Sequence, residues 1–181
     1  MKEVLALIIR NEGGYDNLYY ADGLQTRAGI AWKWNEKFYN SKGIFHHDDI
    51  NRLTKDDIDE FYEEYARKSR ADIFGGNFDL IYSHVDHCIN DGWPDGNKLL
   101  QAAINLCLKS DEKLLSVDGA IGPKTIGALK KVLSEMESWK FLEIHKGCRR
   151  NRYWKKFNEK LRTSSREHAF NCLVSWNRRV L

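Results

Sequence analysis

Proline occurs only twice in this 181-residue chain, at Pro94 and Pro123, and no other feature constrains the fold so strongly. Proline removes a backbone donor and breaks helix interiors, so long helices are permitted almost everywhere else. Apolar residues recur at helical spacing through most of that length. Val4, Leu5, Ile8 and Ile9 predict a helix from about Lys2 to Glu12. Ile58, Phe61, Tyr62 and Tyr65 predict another over Lys55 to Arg70, opened by Thr54 and Asp57 as a capping box with Asp in place of Glu. Phe78, Ile81, Tyr82, Val85 and Ile89 mark a third, ending near Asn90-Asp91-Gly92. Leu99, Ala103, Leu106 and Cys107 mark a fourth after a turn over Asp91 to Gly96. Helices over Thr125 to Met136, Trp139 to Leu161 and Ser165 to Val180 complete a mainly α fold. Phe141, Ile144, Trp154, Phe157, Ala169, Leu173, Trp176 and Val180 are expected in its core. Tyr15 to Trp34 breaks the pattern, mixing aromatic, β-branched and glycine residues as a loop or short hairpin does. With 42% hydrophobic residues, the chain can bury a real core as one domain or two small lobes. We draw a soft boundary near Asp95, giving lobes 1–95 and 96–181.

The first helix carries the sharpest chemical signal, in Asn11-Glu12-Gly13-Gly14-Tyr15. Two glycines stop the helix just after a carboxylate. Glu12 therefore faces the negative end of the helix macrodipole, and an apolar wall would desolvate it further. Both effects raise a carboxyl pKa, and a Glu kept protonated near neutral pH is what glycoside hydrolysis needs as its general acid. The same residues also fit a solvated helix end with an ordinary stop signal. A second pair, Asp86 and Asn90, stands one turn apart beside an apolar stripe, where a helix lining a cleft turns polar groups toward bound sugar. A solvent-facing polar pair is the alternative.

The run from Asn11 through Asn17, Asp22-Gly23, Thr26 and Gly29-Ile30 resembles the opening of glycoside hydrolase family 108, the peptidoglycan muramidases with a Glu-Gly-Gly-Tyr signature. Asp86, Asn90, Gly92, Leu100-Gln101 and Val117-Asp118-Gly119-Ala120-Ile121-Gly122-Pro123-Lys124-Thr125 are similar to the family's later helix and its peptidoglycan-binding-like C-terminal region. The resemblance implies a lysozyme-like catalytic lobe with a small hairpin beside the cleft, followed by a helical peptidoglycan-binding-like lobe. It implies cleavage of the β-1,4 bond between N-acetylmuramic acid and N-acetylglucosamine, with Glu12 catalytic and Tyr15, Asn17, Asp22, Thr26, Asp86 and Asn90 binding substrate. Asp22 and Asp86 are the candidates for a second carboxylate, whose distance from the first separates inverting from retaining chemistry; a single essential Glu with Thr26 helping to hold water stays open. No metal or organic cofactor is implied. The partner is peptidoglycan, and the setting is that of a phage or prophage endolysin, monomeric, made in the cytoplasm and passed to the wall by a holin-like, membrane-opening protein. The chain departs from the family at Leu18 and Ala21, where loop carboxylates are usual, and at Ala28-Gly29-Ile30, where a Tyr-Gly-Ile triplet is usual; Tyr19 or Tyr20 would replace that aromatic. A non-catalytic peptidoglycan-binding module is the alternative these departures keep in view.

Charge is uneven although the net is only +3. Lys146 to Leu181 carries eleven Lys and Arg against Glu159 and Glu167, a local +9, which suits an anionic polymer. Arg149-Arg150-Asn151-Arg152-Tyr153-Trp154-Lys155-Lys156 interleaves basic and aromatic residues as nucleic-acid binders do, but no recognised nucleic-acid motif accompanies it, so no nucleic acid is expected. The scattered Cys88, Cys107, Cys148 and Cys172 make no close-spaced zinc pattern and are expected to be reduced. His84, His87 and Cys88 are ligand types, yet on a helix His87 diverges from the other two. His46-His47-Asp48-Asp49 is expected as a solvated loop. The apolar run Val4 to Ile9 is far short of a membrane span, and without a positive segment, apolar core and small-residue cleavage site at its start no classical secretion is expected.

Overall fold

The computed structural model describes residues 1–21, 24–163, 165 and 169–174. Its fold is mainly α, and it divides into two compact units, Met1–Lys68 and the residues from Ser69 onward. That division lies well before the boundary expected near Asp95. The reason is packing: the helix holding Asp86 buries its apolar face on helices that follow it, so it belongs with them.

In the first unit, α1 (Lys2–Asn11) leads to the strands β1 (Leu18–Ala21), β2 (Leu24–Arg27) and β3 (Ile30–Ala31). These form an antiparallel meander with β2 central, Tyr19 opposite Thr26 and Thr26 opposite Ala31. α2 (Trp32–Ser41), a 3-10 turn (His47–Arg52) and α3 (Lys55–Lys68) follow. Val4, Leu5, Ile8 and Ile9 of α1 are buried, as are Ile58, Phe61, Tyr62 and Ala66 of α3, the stripes read from periodicity. The expected capping box opens α3: the Thr54 hydroxyl accepts from the Asp57 amide at 3.2 Å while the Asp57 carboxylate accepts from the Thr54 amide at 2.9 Å.

In the second unit, a 3-10 turn (Ala71–Phe74) precedes α4 (Phe78–Asp91), α5 (Trp93–Cys107), α6 (Pro123–Glu135) and α7 (Ser138–Thr163). α4, α5 and α7 pack on one another, and α6 covers α5 and α7. The turn expected over Asp91 to Gly96 shrinks to Gly92, because Pro94 sits in the first turn of α5, where its missing donor costs nothing. α5 also grips the loop before α6 with three amides one turn apart. Asn97 donates to the Gly119 carbonyl at 3.2 Å, Gln101 donates to Asp118 at 2.9 Å and accepts from Gly119 at 2.7 Å, and Asn105 exchanges hydrogen bonds with Leu115 at 2.9 and 2.8 Å. The aromatic core of α7 is Phe141 and Tyr153, whereas Trp154 is half exposed. In the expected helix from Ser165, Ala169 and Leu173 are buried and Leu173 packs with Tyr153; Trp176 and Val180 lie outside the described residues.

No described helix is long and apolar enough to cross a membrane.

Candidate active site

Glu12 is the cap residue at the C-terminal end of α1, partly exposed, and the chain around it is held from three directions. Behind it, the Gly13 amide donates to Arg10 O at 3.1 Å and the Gly14 amide to Ile9 O at 2.9 Å. Both glycines have positive φ, +99° and +80°, which lets the chain turn off the helix while satisfying its last carbonyls. Asn17 then clamps the turn, its side chain donating to the Glu12 carbonyl at 2.8 Å.

The third contact is the β2–β3 turn, Ala28-Gly29, with φ of +49° and +78°. Two positive φ values in a two-residue hairpin define a type I′ turn. A Cβ built on Gly29 would lie 2.9 Å from both Cβ and Oε2 of Glu12, so glycine is required for space as well as for φ. Ala28 is fully buried and strained there, at about 1–2 kcal/mol for a non-glycine residue in the left-handed region. Such strain persists only where the surroundings over-determine it, and three bonds do so. The Ala28 amide donates to Asn17 O at 2.8 Å, the Tyr62 hydroxyl to Ala28 O at 2.8 Å, and the Tyr39 hydroxyl to Ile30 O at 2.8 Å. Glu12 thus sits beside a rigid turn. Thr26 lies on β2 just before that turn, sharing a sheet face with Tyr19 and Ala31.

The other expected residues are placed differently. Tyr15 faces α3: its hydroxyl donates to Asp59 at 2.5 Å, and Lys55 lies 5.1 Å from its ring centroid. The hydrogen bond to Asp59, with burial, pushes the phenol pKa up to about 12. Tyr15 therefore anchors the glycine stop to α3. It also closes a depression of ≈ 260 Å³ between α1 and α3, bordered by Leu5, Ala6, Ile9, Asp59 and Glu63; Glu12 does not line it. Asp22 lies outside the described residues.

Asp86 requires a correction. It is 1% exposed in the second unit, and its carboxylate accepts from the Arg149 guanidinium at 2.5 Å. Arg149 is itself buried and donates to the Ser83 carbonyl at 2.9 Å. Burial opposes the Arg149 charge, but Asp86 and Tyr153 outweigh it and hold its pKa above the usual value. Neither Asp86 nor its partner presents a charge to a glycan. Asn90, expected beside it, donates to the Asp86 carbonyl of its own helix at 2.7 Å. The basic stretch is reduced in the same way: Arg152 and Lys156 pair with the buried Asp91, and Arg152 also reaches Asp95 at 2.8 Å. Burial opposes the Asp91 charge too, yet His87, Lys156 and Arg152 keep its carboxyl below the ordinary range.

His84, His87 and Cys88 are buried in α4. His84 Nε2 lies 2.9 Å from the Ser69 carbonyl and 3.7 Å from the Cys88 sulfur. Among the described residues, ligand atoms gather closely enough to share an ion only at His46, His47 and Asp48, on the 3-10 turn of the first unit and its flank. The His47 ring already meets the Asp48 carboxylate at 2.9 Å.

Nothing in the sequence signals that Ala28, Tyr39 and Tyr62 hold the turn beside Glu12. Tyr62 lies in an apolar helical stripe and reads as core, and Tyr39 lies on α2, which the sequence did not announce; only their hydroxyls reveal the second task.

Residues 5–92 match the family model described as Glycosyl hydrolase 108. Among curated proteins no match was found. A solved structure of SagA from Brucella abortus is similar in fold, with a TM-score of 0.67 at 21% identity, covering 99% of this chain and 92% of that one.

Proposed function

The chain belongs to the glycosyl hydrolase 108 family through residues 5–92, and we propose that this glycoside hydrolase cleaves peptidoglycan at the β-1,4 bond between N-acetylmuramic acid and N-acetylglucosamine, with Glu12 as general acid. The observation that carries the reading is the fixed contact between the Glu12 side chain and Gly29. A helix end, Asn17 and a strained hairpin turn converge on one partly exposed carboxylate, and such preorganisation is what acid catalysis requires. Glu12 donates its proton to the leaving glycosidic oxygen as the bond breaks, and water completes the hydrolysis at the anomeric carbon. Thr26, on the strand that enters the turn, is the polar group assigned to hold that water. Asp86 has no part, since it is buried against Arg149.

The test is digestion of purified peptidoglycan followed by mass analysis of the new reducing ends. N-acetylmuramic acid at the reducing end supports the assignment; N-acetylglucosamine there, or release of peptides alone, refutes it. We assign the biological setting to wall lysis by a phage- or prophage-encoded enzyme. Expression in a bacterial host should then lyse cells only when the membrane is opened separately.

A further inference from the structure

Trp34 and Trp32 stand two residues apart at the start of α2 and have opposite surroundings. Trp32 packs on the buried Tyr39 with ring centroids 5.0 Å apart. Trp34 is 74% exposed, and the Lys33 ammonium lies 5.0 Å from its ring centroid. A single exposed apolar residue is ordinary on a protein surface; an indole with a cation held over it, next to a catalytic turn, is a more specific arrangement. The backbone supports it. Asn35 leaves helical geometry, at φ −128° and ψ 25°, and its side chain donates to the Ala31 carbonyl at 2.9 Å. That bond pins the first turn of α2 to the end of β3 and separates it from the rest of the helix.

The path from this turn to the carboxylate is short. Gly29 touches Glu12, Ala31 is two strand residues further, and Trp34 is three helical residues beyond that. At about 3.3 Å per strand residue and 1.5 Å per helical residue, the Trp34 backbone is within roughly 12 Å of Gly29. Tyr19, Thr26 and Ala31 lie in register across one face of the sheet, and Tyr19 is 48% exposed. Tyr19 and Thr26 therefore stand side by side on neighbouring strands, about 4.8 Å apart, and Ala31, the next residue across, leads directly into the helix that carries Trp34.

We propose that Trp34 and Lys33 form a glycan subsite, in which the indole stacks on the apolar C–H face of a pyranose and Lys33 pairs with a carboxylate carried by that sugar or its substituent. The inference rests on the peptidoglycan reading for its choice of ligand. Lys33 over the ring is held by a cation–π contact that is weak at an exposed site, so the ammonium is placed without being fully engaged. A carboxylate arriving there makes a charge-assisted hydrogen bond, and a neutral sugar gains only the stacking. The subsite acts on substrate affinity and on the preference for acidic over neutral glycans, and leaves proton transfer at Glu12 alone.

The experiment uses the full chain with Trp34→Ala, Trp34→Phe and Lys33→Gln, each checked for an unchanged melting temperature. Steady-state hydrolysis of soluble peptidoglycan fragments is measured, with calorimetric binding of carboxylated fragments and of neutral N-acetylglucosamine oligomers in a Glu12→Gln background. Trp34→Ala should raise KM about tenfold, the equivalent of 1.4 kcal/mol, with kcat nearly constant, and Trp34→Phe should recover most of the loss. Lys33→Gln should weaken the carboxylated fragments about threefold, as suits a screened surface charge, and spare the neutral oligomers. An unchanged KM in Trp34→Ala, or a fall in kcat at constant KM, overturns the subsite. Equal weakening of both ligands by Lys33→Gln overturns the carboxylate preference. If the wild-type chain cuts no peptidoglycan, the proposed function fails by itself, and the subsite is decided by binding: equal affinity of the carboxylated fragments with and without the Trp34 indole refutes it.

Discussion

Glu12 and Asp86 are both carboxylates set beside the apolar stripe of a helix, yet the two units treat them in opposite ways. Around Glu12 the first unit arranges a glycine pressed against the side chain, an asparagine on its carbonyl and a tight turn locked by two tyrosines. Around Asp86 the second unit places a buried arginine, which neutralises the charge permanently. A carboxylate that must act on a substrate cannot be buried against an arginine at 2.5 Å, because its oxygens are then out of a ligand's reach. Proximity of an acid to an apolar face is therefore a poor guide to chemistry. What separates the two is access: Asp86 is closed off inside the second unit, whereas Glu12 stays partly exposed.

The largest expected effect comes from exchanging each acid for its amide. Glu12→Gln should cut hydrolysis by about 10²- to 10⁴-fold, the usual contribution of a positioned general acid, with little change in melting temperature. Asp86→Asn should do the reverse, costing about 3–5 kcal/mol of stability because Arg149 is left buried without its counter-charge. Thermal unfolding and turnover measured on both variants check the pair. An Asp86→Asn protein that melts normally but no longer hydrolyses would erase the distinction. The double variant Asp86→Leu with Arg149→Met sharpens it: it should recover most of the stability that either single change loses, since an apolar pair of similar volume often replaces a buried ion pair without penalty.

Gly29→Ala should lower stability by about 1–2 kcal/mol through the positive φ. It should also depress turnover, since the new methyl displaces the Glu12 side chain. A variant that loses stability but keeps the wild-type rate would show that the turn does not position the acid.

The remaining effect is that of pH on the second unit, spread over several units of pH where the substitutions act at once. Burial holds His84 at about 4 and His87 at about 3, and it drives His145 well below the ordinary value. Around these rings lie Arg149, Asp86, Asp91, Lys156, Cys88 and Tyr153. A depressed pKa means that the unfolded chain takes up protons first, near pH 6.5. The stability contributed by the neutral rings is therefore complete above about pH 6.5 and is lost progressively as pH falls toward the folded-state values, by roughly 1 kcal/mol per pH unit for each ring. Melting curves between pH 7.5 and 5 should fall accordingly, and His87→Phe should flatten the slope. An unchanged slope in that variant would remove His87 from the acid response.

The helices were legible because periodicity, caps and two prolines report local backbone preference directly. α1, α3, α4 and α6 lie within a few residues of their expected bounds, and the Thr54–Asp57 box forms as read. The start of α5 was missed because Trp93-Pro94-Asp95-Gly96 has the composition of a turn, while the helix tolerates proline and glycine in a first turn packed on α4 and α7. At the site, Glu12 and its glycine stop were visible as a contiguous motif. Tyr39 and Tyr62 were not: Tyr62 in an apolar stripe fits the core whether or not its hydroxyl has a partner, and Tyr39 stands on a helix that the local pattern did not announce.

Although it gave no sign of α2, the sequence by itself determined the bounds of most helices, that the chain is mainly α, and that one acid stands at a helix end beside a hairpin. Each of these depends on interactions within a few residues along the chain, which local chemistry encodes. Tertiary structure decided which acids are neutralised, which strained turn presses on Glu12, how much of the basic stretch is paired, and which of two neighbouring tryptophans meets water. Those outcomes depend on partners up to 66 residues away, such as Arg149 and Ser83. No local pattern carries that information, because the cost of burying a charge is set by what the rest of the fold brings against it.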